Sequence, residues 1–232
     1  FIDMLFPMEI SYIEVVRGTN DPRYGLHNIG GNVNFGTRQG GNYTDARLGY
    51  GSYNTRSAQL AVGREGNGFA RNYFLGYQES DGYRDNDSSK KYSIGGKWFY
   101  GNLEDDGLRV GLTARAYHNE AEEPGFMTVE ELRTHRRGSE LRNRNDGDDR
   151  DMRQVAAHVD LKLADDLYFG SKIYYNSYED DRRITFSDLP TGNAPRQRRI
   201  WNESQFGILN TLTWSASSAL TLEGGLNYEQ QD

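Results

Sequence analysis

The feature that most constrains this chain is an alternation of apolar and polar residues with a period of two, repeated from residue 43 to residue 228. Residues 43–50 set Ala46, Leu48 and Tyr50 against Asp45 and Arg47. Residues 108–118 set Leu108, Val110, Leu112, Ala114 and Ala116 against Arg109, Thr113, Arg115 and Tyr117. Further on, Val155, Ala157, Val159, Leu161 and Leu163 oppose Gln154, His158, Asp160 and Lys162, and Leu220, Leu222, Leu226 and Tyr228 oppose Thr221, Glu223 and Asn227. Successive side chains of an extended chain point to opposite faces, so such a pattern predicts strands with one apolar side. About nine segments show it, each near the ~9–11 residues that a tilted membrane-crossing strand requires.

The connectors between these segments have two lengths. Residues 65–68, 101–107, 164–166 and 216–218 are short, whereas residues 79–89, 119–151 and 179–199 are long and polar. Short and long alternate once past the tight Gly51-Ser52 link, which is the asymmetry of an outer-membrane barrel with short inner turns and long outer loops. By this reading the first strand runs outward. Aromatic residues gather at segment ends (Tyr50, Tyr53, Tyr77, Tyr83, Trp98, Tyr100, Tyr175, Tyr178, Trp214), where an interfacial girdle would lie. A soluble sandwich would also alternate, but strands this long in an unbroken meander are unusual for one.

Composition permits a membrane wall. Only 35% of residues are hydrophobic and the mean hydropathy is −0.86. No apolar run approaches the roughly 20 residues of a membrane helix, but barrel strands show lipid only at every second residue. The absence of cysteine excludes disulfide frameworks and thiolate chemistry. A net charge of −7 argues against a nucleic-acid partner. Residues 1–8 carry no basic leader region, so the expectation is a chain that starts inside a mature domain.

The segment before the alternation is the most specific. It runs Ile10-Ser11-Tyr12-Ile13-Glu14-Val15-Val16-Arg17-Gly18, then Asn20-Asp21-Pro22-Arg23-Tyr24-Gly25, then Ile29-Gly30-Gly31-Asn32-Val33-Asn34-Phe35. The order and spacing of Ile13-Glu14-Val15, Arg17-Gly18, Tyr24-Gly25 and Gly30-Gly31-x-Val33-Asn34 resemble the closing segment of the plug domain in TonB-dependent outer-membrane receptors. Thr19 stands where that family usually has Pro, and Ser11 where it has Glu. The motif covers about the first sixth of the chain.

The resemblance implies an all-β fold: the C-terminal part of a plug domain in residues 1–38, then a transmembrane antiparallel β-barrel in residues 39–232, partial, with about nine of an expected 22 or so strands. A wall with open edges leaves backbone groups unsatisfied in lipid, so this piece is expected not to be stable alone. The implied function is active uptake of a ferric chelate, a siderophore or ferric citrate, in the bacterial outer membrane. Cobalamin or haem is the alternative cargo. Implied partners are the TonB-ExbB-ExbD complex, acting on an N-terminal segment not in this sequence, the chelate itself, and outer-membrane lipid with lipopolysaccharide. Glu14 and Arg17 would form a plug–barrel latch with barrel carboxylates. Residues 1–8 would come from an apical plug loop near the ligand. Readings from other classes are a passive barrel or adhesin, and a soluble carbohydrate-binding β-protein.

Candidate ligand residues lie in the long connectors. Residues 127–135 have helical spacing, with Thr128 as N-cap and Glu131 as its capping-box partner; the stretch 124–133 resembles the third extracellular loop of some ferric-citrate-type receptors. Arg133, Arg136, Arg137, Arg142 and Arg144 follow, and Arg182 and Arg183 lie in the next connector. Guanidinium groups bind carboxylate or phosphate in a bidentate fashion, which suits an anionic chelate or a lipopolysaccharide phosphate. No catalytic constellation is present: His27, His118, His135 and His158 lack metal-ligand spacing, the acidic pairs 122–123 and 130–131 read as solvated, and the glycines of residues 63–68 precede no helix. No enzyme activity, cofactor or metal centre is expected.

Overall fold

Side-chain alternation becomes two antiparallel sheets in the computed structural model of the chain, which describes residues 4–18, 30–185 and 195–232. The smaller sheet pairs β1 (Ile10–Arg17) with β2 (Gly31–Thr37), with Val15 opposite Val33 and Glu14 opposite Asn34. The Tyr24-Gly25 part of the motif lies outside the described residues.

The larger sheet holds β3 (Tyr43–Tyr50), β4 (Arg56–Gly66), β5 (Phe69–Ser80), β6 (Ser89–Tyr100), β7 (Leu108–Glu122), β8 (Gly147–Ala164), β9 (Leu167–Thr185), β10 (Arg196–Ser217) and β11 (Leu220–Gln231). Each strand pairs with its sequence neighbours, so the sheet is an up-and-down meander with β3 and β11 at its open edges. Its register carries the alternation across strands: Leu60 faces Leu75, Leu75 faces Ile94, and Ile94 faces Ala116. The row Leu75–Ile94 is more than half exposed, at 53% and 55%. The opposite side holds Asn72, Ser93 and Asn119 buried together with Ala61, Phe74 and Tyr117. An apolar side open to the surroundings and a polar side turned inward is the arrangement of a membrane wall, the reverse of a soluble sandwich. We call the two sides outward and lumenal. Outward rings pair near the girdle positions, Tyr73 with Trp98 at 5.9 Å and Tyr77 with Tyr92 at 5.1 Å. Among the described residues no helix is long and apolar enough to cross a membrane.

Connector chemistry follows the expected asymmetry, with moved boundaries. The β4–β5 turn is Asn67-Gly68, both at positive φ (53° and 71°), the two-residue hairpin turn that suits strand twist. Residues 101–107, read as a plain turn, hold the short helix α1 (Leu103–Asp106), capped by Asn102 and ended by Gly107 at φ 65°. The long connectors are shorter than their polarity suggested: β7 runs to Glu122, β8 starts at Gly147, and β9 and β10 extend over 19 and 22 residues. Their outer ends are polar because charges pair between strands, as Asp181 does with Arg198 (2.7 Å). Within the 123–146 connector, α2 (Val129–Thr134) forms with the expected capping box: Glu131 N donates to Thr128 Oγ1 at 3.2 Å, and Thr128 N donates to Glu131 Oε2 at 2.6 Å.

Candidate functional site

Two places on the lumenal side gather functional chemistry: the junction of the small sheet with the wall, and the packed outer connectors. At the junction a single 3-10 turn, Pro7–Glu9, precedes β1. Phe6 is 1% exposed and packs on Ala61 and Phe74, its ring 5.7 Å from that of Phe74. The contact requires a bare backbone at Gly76, because a Cβ there would lie 2.8 Å from the Phe6 ring. Glu9 is also buried. It accepts Phe6 N and both terminal nitrogens of Arg115, the Nη1 contact being 3.0 Å. The chain then crosses to the wall through polar clamps. Lys97 Nζ donates to Thr37 O (3.0 Å), Arg38 bonds Asp45 (2.5 Å), and Asn72 holds both backbone groups of Gly40 (2.7 and 2.9 Å). A cavity of about 440 Å³ remains between β2 and the wall, lined in part by Glu9, Lys97, Arg115, His158 and Lys172.

The outer connectors form a hydrogen-bonded cap. Arg84, in the 81–88 connector, donates to Gly138 O, Gly125 O and Pro124 O at 2.6–3.2 Å. Asn86, at φ 56°, donates to Glu123 O, Asn143 O and Asp146 O. Asp146 is buried and accepts Thr185 N, Thr185 Oγ1 and Asn143 Nδ2, each at 2.8 Å. This cap has no periodic signature. Its only sequence cues are turn-forming residues such as Asp81-Gly82.

The candidate arginines divide by what they touch. Arg182 is lumenal and clamps Glu123 with two bonds (2.6 and 2.8 Å), which raises its pKa. Arg137 lies over the rings of Tyr53 and Tyr83 and donates to Tyr83 O. Arg142 pairs with Glu140 (2.7 Å). Arg133, Arg136, Arg144 and Arg183 are exposed, so the structure does not gather the seven into one pocket. Register sends Arg182 and its neighbour Arg183 to opposite sides, the latter outward beside Asp181. The Arg198 guanidinium holds the Asp181 carboxyl below the usual range, and burial pushes Asp148 up.

Glu14 and Arg17 occupy exposed positions on β1. Glu9–Arg115 is an ion pair that joins the segment before β1 to the wall. Of residues 1–8, expected to come from an apical loop, Phe6 packs against the lumenal side of the wall, and residues 1–3 lie outside the described residues. His158 lies lumenal as expected, its ring 5.4 Å from Phe99, and His27 is outside the described residues.

A small two-stranded sheet lodged on the polar side of an outward-apolar meander defines a fold class, the wall of a β-barrel with a plug segment against its lumenal side. Solved structures share it. The siderophore receptor PiuA from Acinetobacter baumannii superposes with a TM-score of 0.79 at 14% identity, over 97% of this chain and 35% of that one. The ferric citrate transporter FecA in its unliganded form gives 0.79 at 18%, over 98% and 35%. The ferric-catecholate import receptor Fiu from E. coli K12, in its open form, gives 0.73 at 16%, over 97% and 40%. The chain therefore has the fold of a part of these receptors and spans some 35–40% of their length. No protein-family model and no curated protein matches the sequence.

Proposed function

We propose that the chain is part of a TonB-dependent receptor of the bacterial outer membrane that takes up a ferric chelate, a siderophore or ferric citrate. The observation that carries this reading is the docked segment: Phe6 and the Glu9–Arg115 pair hold a separate β-hairpin against the lumenal side of the wall. A passive pore or an adhesin needs no such stopper, and a soluble carbohydrate binder would not leave Leu75, Ile94 and Leu112 as an open apolar side. In this reading residues 1–38 belong to the plug and residues 39–232 to the wall. The packed outer connectors form part of the mouth, where Arg133, Arg136 and Arg144 draw in an anionic chelate. Arg183 faces outward toward lipopolysaccharide phosphate. Glu14 and Arg17 meet further wall strands as a latch.

The test is uptake of radiolabelled iron chelates by cells carrying or lacking the intact protein. Saturable uptake that stops when the TonB-ExbB-ExbD complex is removed supports the receptor. Uptake that rises linearly with concentration and ignores that complex makes it a passive pore. Haem and cobalamin in the same assay decide the alternative cargoes.

A further inference from the structure

On the outward side, just beyond the apolar band, β7 and β8 bring together a cluster to which the proposed function gives no role. Register sets His118 opposite Asp151 and Glu120 opposite Asp149. Alternation turns all four to the same side as Leu112 and Val155, away from the lumen. His118 Nδ1 lies 3.3 Å from Asp151 Oδ1 and 3.7 Å from Asp149 Oδ1. One donor atom from each of His118, Asp149 and Asp151 falls within 4.8 Å of the other two. On the far side of the ring, Nε2 lies 3.5 Å from Glu120 Oε1. Tyr92 stacks on the imidazole at 6.3 Å with planes 29° apart, and so holds the ring plane. Lys90 sits over the Tyr92 ring and faces Glu120 across the β6–β7 register.

An imidazole nitrogen carries at most one proton, so Nδ1 can serve only one of the two carboxylates that face it. The other is left beside a like charge. A divalent cation at the centre satisfies all three donors at once. Metal–nitrogen and metal–oxygen bonds of about 2.0–2.2 Å place neighbouring donors roughly 3–3.6 Å apart, close to the 3.3 and 3.7 Å between Nδ1 and the two aspartates. Glu120 supplies what a ligating histidine needs on its other nitrogen, a carboxylate that keeps Nε2 protonated and the Nδ1 lone pair free. A nitrogen donor beside two carboxylates favours a zinc-like cation over magnesium or calcium, whose shells are built from oxygen.

We propose that His118, Asp149 and Asp151 bind a divalent transition-metal cation of the zinc type, with Glu120 orienting the histidine and one coordination position open to the outward side. One ligand comes from β7 and two from β8, so the cation ties the outer ends of the two strands just below the 123–146 connector. The side chains are 32%, 46% and 40% exposed, which gives the ion an entry path. The proposal rests on strand register and holds whatever the cargo.

The experiment titrates zinc chloride against the intact protein in detergent micelles, without a polyhistidine tag, in competition with a chromophoric chelator. One equivalent is expected to bind. The affinity should fall at least tenfold in His118→Ala and in Asp151→Asn, and about tenfold in Glu120→Gln. Where a variant does not fold, the wild type serves: zinc should protect His118, and not His135, from carbethoxylation read by mass spectrometry. Affinity unchanged in His118→Ala, His118 modified equally with and without zinc, or magnesium binding as tightly as zinc would overturn the site.

Discussion

Glu9 and Arg115 meet across 106 residues of sequence, and nothing local in either position announces the pairing. Both side chains are largely buried, at 4% and 13% exposure. Removing one leaves an uncompensated charge, so Glu9→Ala is expected to weaken docking of the β1–β2 segment by about 3–5 kcal/mol. Protease accessibility of that segment in micelles measures this; resistance equal to the wild type would show that the pair does not hold the junction. Gly76→Ala tests the apolar half of the contact. A methyl group 2.8 Å from the Phe6 ring forces the ring out of its place against Phe74, for a loss of about 1–3 kcal/mol in the same assay.

Elements whose logic is local were legible. The capping box of α2 was readable from Thr128 and Glu131, because its partners are three residues apart. Bonds from Thr128 hold the Glu131 carboxyl below its ordinary value of 4.5. A carboxyl with a depressed folded-state pKa stabilises above its unfolded value, and the contribution is lost as pH falls through the folded one. Amide exchange of Thr128 and Glu131 should therefore quicken relative to the rest of the chain as pH drops below about 4.5, once corrected for intrinsic rates. Exchange that stays uniform with pH would dismiss the cap as a stabilising element. Arg84 is the opposite case: its acceptors are carbonyls 40 to 54 residues away, invisible to any periodicity. Arg84→Ala should raise hydrogen exchange throughout residues 123–146 while leaving β4 and β5 unaltered. The boundaries of β8–β10 were misplaced for a related reason. Polarity near residues 147–153 and 179–185 reads as loop, whereas charges there are satisfied between neighbouring strands, as Asp181 is by Arg198.

For the whole molecule, the two sides of the wall should respond oppositely to the same charge. Leu112 lies midway along the outward apolar face of β7, and Leu112→Arg is expected to cost about 2–4 kcal/mol on folding into vesicles. Thr211→Arg, on the lumenal face of β10, should cost far less. Urea titrations of both variants of the intact protein decide it, and equal losses would refute the assignment of sides. Alternation, turn lengths and the Glu14–Arg17 motif are properties of neighbouring residues, so the sequence alone determined the strand count, the two-sided wall and the likeness to plugged barrels. Which residues seat the hairpin, which arginines stay exposed, and which acids meet His118 depend on register between strands and on contacts spanning tens of residues. A one-residue shift of register would turn those side chains to the other side. Only the tertiary structure could decide them.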